Sequence, residues 1–364
     1  MSVASTVEMR LFGRKRGRWT VGVAVGVFAA FLTQGASAAD RAHSKLWLRG
    51  AGATFPAPLY QAWIDEWSSS HGDRALSYEP VGSSAGINRF TTGSVDFAGT
   101  DAPIRDEQIA KVDRGVISIP ATAGMIVLAY SLPGGIDDLK LPRDVYAGIF
   151  AGDIAKWNDP RIQAANPDIG LPDLDIAVVA RMDGSGTTFA FTNHLHAISP
   201  LWRESGRGAA TYVDWPHNAM QVKGNEGVAQ RVKISEGAIG YVEYGFAKRL
   251  NLPVAALENK VGKFIRPSAE AGTAALRETA AVMDDKLRVE IPDAPGAEAY
   301  PIVTYSWLLL YGSYPNEKKA EALRAFVDWG LTEGQAMARD DVGGYIPLPS
   351  NVVAKGQQAL ATLR

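Results

Sequence analysis

Residues 176–192 read IAVVARMDGSGTTFAFT. Ile176–Arg181 is a short apolar run with the length and composition of a buried strand. Met182-Asp183-Gly184-Ser185-Gly186-Thr187-Thr188 follows, a polar turn of small residues placed before an expected helix. Strand, small-residue turn and helix in that order form the unit of an α/β fold. A helix N-terminus leaves up to four backbone N–H groups unpaired and carries about half a positive charge. Arg181 adds a rigid guanidinium fork at the same place, suited to an oxyanion.

The same unit recurs along the chain. Gly50-Ala51-Gly52-Ala53-Thr54-Phe55-Pro56 follows an expected strand at Lys45–Arg49. Gly82-Ser83-Ser84-Ala85-Gly86 and Gly99-Thr100-Asp101-Ala102-Pro103 are further turns of this kind. Val95–Gly99, Met125–Tyr130, Ala238–Val242 and Ile302–Tyr311 also read as buried strands. Leu59, Trp63 and Trp67 recur every four residues behind Pro56, a helical spacing. Ala320–Trp329 is another expected helix, and Trp47, Trp63, Trp67, Trp307 and Trp329 are expected in the core. The alternation predicts mainly parallel sheets with helices on both faces. Hydroxyls of Thr54, Ser83, Ser185 and Thr187 add neutral donors to the turns. Together the turns predict an anion cradle at the carboxyl ends of strands, where open α/β sheets bind ligands.

Composition narrows the function. The chain has 364 residues, with 37 Lys and Arg against 39 Asp and Glu. No basic excess is present to neutralise a nucleic-acid backbone. The absence of Cys excludes disulfides, Cys-ligated zinc, a thiol nucleophile and a lipidated Cys anchor. Arg10, Arg14, Lys15, Arg16 and Arg18 precede a mostly apolar run from Trp19 to Leu32, and Ala36-Ser37-Ala38 follows. This order predicts a secretory signal peptide over residues 1–38 and a periplasmic mature protein. Cleavage removes five basic residues and one acid, leaving 32 basic and 38 acidic residues, net −6. A bound anion must therefore be held by local donors and not by a general positive surface.

The segments GAGATFPAPLY (50–60), PVGSSAGI (80–87), VDFAGTDAP (95–103), IAVVARMDGSGTTFAFT (176–192), VKGNEGVA (222–229), EGAIGYVEYGFA (236–247) and YPIVTYSWLLL (300–310) carry a resemblance. The run from Leu141-Pro142-Arg143 to Lys156-Trp157-Asn158-Asp159 joins them. The chain resembles the phosphate-binding proteins of high-affinity phosphate ABC transporters over almost all of residues 46–350. The resemblance implies an α/β, class II-like periplasmic binding protein: two lobes, each a mixed or parallel sheet flanked by helices, joined by two hinge crossings. The crossings fall near Ile119–Thr122 and Tyr300–Thr304. Lobe one is then residues 39–120 plus 302–364, and lobe two is residues 121–301.

The resemblance further implies that Thr54, Phe55, Ser83, Asp101, Arg181, Ser185, Gly186 and Thr187 hold one phosphate ion, with Asp183 bracing Arg181. An inner-membrane phosphate ABC permease and its ATPase are the implied partners, of a monomer that needs no cofactor and breaks no bond. Within this set Asp101 has a physical logic of its own. An ionised carboxylate only accepts hydrogen bonds. It accepts the O–H of hydrogen phosphate but repels fully deprotonated sulfate. Arsenate also keeps a proton and is the alternative ligand. Ala85, Thr100 and Met182 depart from the family pattern without removing a donor.

Two other chemistries find little support in the sequence. Gly184-Ser185-Gly186 has the look of a nucleophilic Ser turn, but a triad needs a base oriented by a third group. His194 and His196 lie two to three helical turns further on. As a metal pair they face different sides of a helix, and both are expected on the surface.

Overall fold

A computed structural model describes residues 45–339 and 343–364. The expected signal peptide lies outside the described residues. Twelve strands are present among them: β1 (Leu46–Gly52), β2 (Arg74–Pro80), β3 (Phe97–Thr100), β4 (Val116–Tyr130), β5 (Lys140–Leu141), β6 (Ala177–Arg181), β7 (Met220–Val222), β8 (Ala238–Glu243), β9 (Ala256–Glu258), β10 (Phe264–Ile265), β11 (Val303–Tyr311) and β12 (Tyr345–Ile346). Nine join in the order β2-β1-β3-β11-β4-β8-β6-β7, with β12 also on β4; β10-β9-β5 form a small second sheet.

The large sheet has two parallel wings. β2, β1 and β3 run parallel, and so do β8, β6 and β7. The middle is antiparallel, which corrects the expectation of mainly parallel pairing: β11 opposes both β3 and β4, and β4 opposes β8. The chain leaves the first wing along β4 and re-enters it along β11. An outgoing and a returning strand side by side must run in opposite directions. β4 also serves both wings. Val116–Met125 lies in register with β11, whereas Ile126–Tyr130 pairs with β8.

Helices begin where parallel strands end. The helix Ala57–Ser70 follows β1, Ser83–Thr91 follows β2, Gly186–Ile198 follows β6 and Gly224–Ile234 follows β7. In the first of these Leu59, Tyr60, Trp63, Ile64 and Trp67 are all buried. Trp63 also donates its ring N–H to the Gly334 carbonyl at 2.8 Å, which satisfies the one polar atom it buries. The helix expected at Ala320–Trp329 spans Glu317–Leu331.

Two sequence expectations fail here. Trp47 is 61% exposed, because the alternation along β1 turns it outward while Leu48 faces the core. His194 is fully buried and not on the surface. Its helix is apolar on most sides and lies inside the second wing. Both ring nitrogens are satisfied there. Nδ1 donates to the Pro292 carbonyl at 2.8 Å and Nε2 accepts from the Tyr146 hydroxyl at 2.7 Å.

Candidate functional site

The four helix starts meet one another. Ser84 N–H donates to the Gly184 carbonyl at 3.0 Å, joining the turn after β2 to the turn after β6. Two glycines permit this closeness. Gly82 sits at φ +94°, and a Cβ there would lie 2.6 Å from Asp183 Oδ2. A Cβ on Gly186 would lie 2.6 Å from both Asp101 Cβ and Ser83 Oγ. Side chains at these points would hold the two wings apart.

Thr54, Phe55, Ser83, Asp101, Arg181, Ser185, Gly186 and Thr187 are drawn together, and each is buried. Ser83 Oγ accepts from Gly186 N–H at 3.1 Å and from Asp101 N–H at 3.3 Å. With both acceptor positions filled, its hydroxyl proton is left to donate elsewhere. The N–H groups of Thr54 and Phe55 have no hydrogen bond among the described residues. Ser185 caps its helix by accepting from Thr188 N–H at 3.0 Å, and its own N–H donates to the Thr211 carbonyl. That N–H is thus taken, while the Ser185 O–H remains a donor.

Arg181 ends β6, and its side chain is 1% exposed. Nε donates to Asp183 Oδ1 at 2.7 Å, and Nη2 pairs with Asp183 Oδ2. Nη1 is buried without a partner. Gly224 N–H also donates to Asp183 Oδ1, at 3.0 Å. Burial pushes the Asp183 carboxyl pKa up, but the hydrogen bonds and charge of Arg181 outweigh it and hold the group below the usual carboxylate range. Asp183 therefore stays ionised and keeps the fork in one orientation. Met182, the bulky departure, is half exposed and leaves this pairing intact.

Asp101 closes the opposite side. Ser306 Oγ donates to its Oδ1 at 2.9 Å. Burial pushes its carboxyl up to about 7, against Ser306, the Arg181 charge and Ser83, which pull it down.

Sequence reasoning missed two members of the site. Asn225 is fully buried at the start of the helix Gly224–Ile234 and contacts Thr54, Thr187 and the backbone of Glu243. Ser306 is the polar residue between Tyr305 and Trp307 in a strand that is apolar but for it, Thr304 and the tyrosine hydroxyls, a signal in itself. A third buried polar group is Glu243, at the end of β8. Burial pushes its carboxyl up to about 8, against the N–H of Gly245 and the charge of Arg249. His194 is bonded to Tyr146 and Pro292 and does not serve Ser185 as a base.

The chain matches a PBP superfamily domain over residues 33–333. The phosphate-binding protein PstS of Methanocaldococcus jannaschii is 37% identical over 341 residues, covering 88% of this chain and 87% of the relative. PstS of Pasteurella multocida is 37% identical over 312 residues, 85% of this chain and 88% of the relative. Among solved structures, a high affinity periplasmic phosphate-binding protein bound with phosphate superposes with a TM-score of 0.68 at 19% identity, covering 86% of this chain and 93% of that one. A phosphate-binding protein from Stenotrophomonas maltophilia gives 0.62 at 20% identity, covering 85% and 93%. The last two share its fold.

Proposed function

We propose, since the chain belongs to the PstS phosphate-binding protein family of the PBP superfamily, that it is a receptor for inorganic phosphate. The observation that carries this reading is Arg181. It is a buried guanidinium braced on two nitrogens by Asp183, with its third nitrogen unpartnered. A buried cation with an idle donor calls for an anionic partner. Around it Thr54, Phe55, Ser83, Ser185 and Thr187 offer N–H and O–H donors, and Gly186 lets the two wings close. Asp101 is the one carboxylate of the set. It takes the proton that hydrogen phosphate retains and sulfate lacks.

In this reading the protein works in the periplasm as a monomer and hands phosphate to an ABC-type importer. In this reading it breaks no bond. Residues 39–120 with 302–364 form one lobe and residues 121–301 the other. β4 and the entry to β11 are the hinge, and the change of partner at Met125–Ile126 supports a first crossing a few residues beyond Ile119–Thr122. Among the described residues no helix is long and apolar enough to cross a membrane. The test is calorimetric titration of protein stripped of anion by unfolding and refolding. One-to-one binding of phosphate with no heat from sulfate is expected. A folded sample silent to phosphate would overturn the reading.

A further inference from the structure

Asn225 is placed where it controls two hydroxyls at once. Its amide orientation is settled by Glu243, whose backbone N–H can only donate and does so to Asn225 Oδ1 at 3.0 Å. The NH2 end must then face the other way. There Nδ2 donates to Thr54 Oγ1 at 3.0 Å and to Thr187 Oγ1 at 3.2 Å. The Asn225 backbone N–H donates to the same Thr54 oxygen at 3.1 Å. Thr54 Oγ1 thus receives two hydrogen bonds, which fill its acceptor positions. Its own proton can only be given away, and in a direction other than Asn225. Thr187 is biased the same way by one bond.

We infer that Asn225 is a positioning residue for the bound anion: it locks the Thr54 hydroxyl as an outward donor, biases the Thr187 hydroxyl the same way, and so orients a monoprotonated tetrahedral oxyanion. A hydroxyl free to rotate can either donate to an anionic oxygen or accept from a protonated one. With Thr54 locked and Thr187 biased as donors, their side of the site favours deprotonated oxygens. The single ligand proton then points to Asp101, whose carboxylate is the strongest acceptor of the set. Asn225 and Thr187 belong to the second wing and Thr54 to the first, so the lock is complete only when the wings are together.

This inference rests on the phosphate reading, so the wild-type phosphate titration comes first. If the wild type is silent, the receptor reading falls and the inference with it. If it binds, Asn225→Ala and the double variant Thr54→Val/Thr187→Val are each titrated with phosphate, then combined. Asn225→Ala is expected to weaken binding at least tenfold in the wild-type background and less than twofold when both hydroxyls are already gone. An equal loss in both backgrounds would overturn the inference, because a merely structural role for Asn225 does not depend on those hydroxyls. Should Asn225→Ala fail to fold, Thr54→Ser and Thr54→Val decide. Thr54→Ser is expected within threefold of wild type and Thr54→Val at least tenfold weaker. Full affinity in Thr54→Val would show that no directed hydroxyl is needed, and would sink the idea.

Discussion

Ser306 reaches Asp101 from a strand 205 residues further along the chain and donates its hydroxyl proton to Oδ1 at 2.9 Å. The bond stabilises the ionised carboxylate and opposes the burial that pushes Asp101 up to about 7.

Selectivity against sulfate is therefore expected to depend on pH. Sulfate stays fully deprotonated over the working range, so only the protein titrates. Above about pH 7 Asp101 is ionised and repels it. As pH falls below 7 the carboxyl takes up a proton, becomes a donor, and sulfate begins to bind. Sulfate binding titrated directly, without phosphate, between pH 5.5 and 8.5 should strengthen as pH falls. Ser306→Ala removes a bond that lowers the pKa, so its rise should begin at higher pH. Asp101→Asn should show weak discrimination at every pH; a flat wild-type profile would contradict the role of Asp101.

Arg181→Ala removes the charged fork of the site and leaves Asp183, whose side chain is 13% exposed, without its ion-pair partner. Phosphate binding should weaken by more than about 1.5 kcal/mol, the scale of a charge-assisted hydrogen bond. The melting temperature should drop as well, because an unpaired, mostly buried carboxylate is costly. Calorimetry and thermal melts separate the two effects. Unchanged affinity would remove Arg181 from the site.

Gly186→Ala places a methyl group where Asp101 and Ser83 pack. The wings should still fold but should not close. A loss of at least tenfold in phosphate affinity is expected, together with loss of the compaction that phosphate produces in small-angle scattering. Compaction equal to that of wild type would mean the approach is not needed.

His194 should tilt acid stability. Burial pushes its ring down to about 4, against the nearby Asp293 and the Pro292 carbonyl. The unfolded chain binds this proton below about pH 6.5 while the folded chain resists it until about 4. This residue's contribution is fully present above pH 6.5 and is lost as pH falls towards 4. Denaturant melts should show that slope, and His194→Gln should flatten it. An identical slope in both proteins would exclude His194 as its source.

The local chemistry of the site was legible in the sequence. Small-residue turns before helices, with Arg181 and Asp101 inside two of them, depend only on near neighbours. The strand expectations held for the same reason: a buried strand is an apolar run whatever lies beside it. Partners were not legible. A pattern of apolar runs carries no direction, so the antiparallel pairing of β4 with β11 and β8 had to come from the path of the whole chain. Trp47 and His194 were misread because burial depends on what covers a face, and that cover comes from distant segments. Ser306 shows only as a polar residue within a mostly apolar run, and Asn225 has no local mark of its chemistry. They act only through Asp101 and Thr54, 205 and 171 residues away. The sequence by itself determined which donors were available. The tertiary structure decided which way each points, because a hydroxyl's direction is set by whichever groups occupy its other hydrogen bonds.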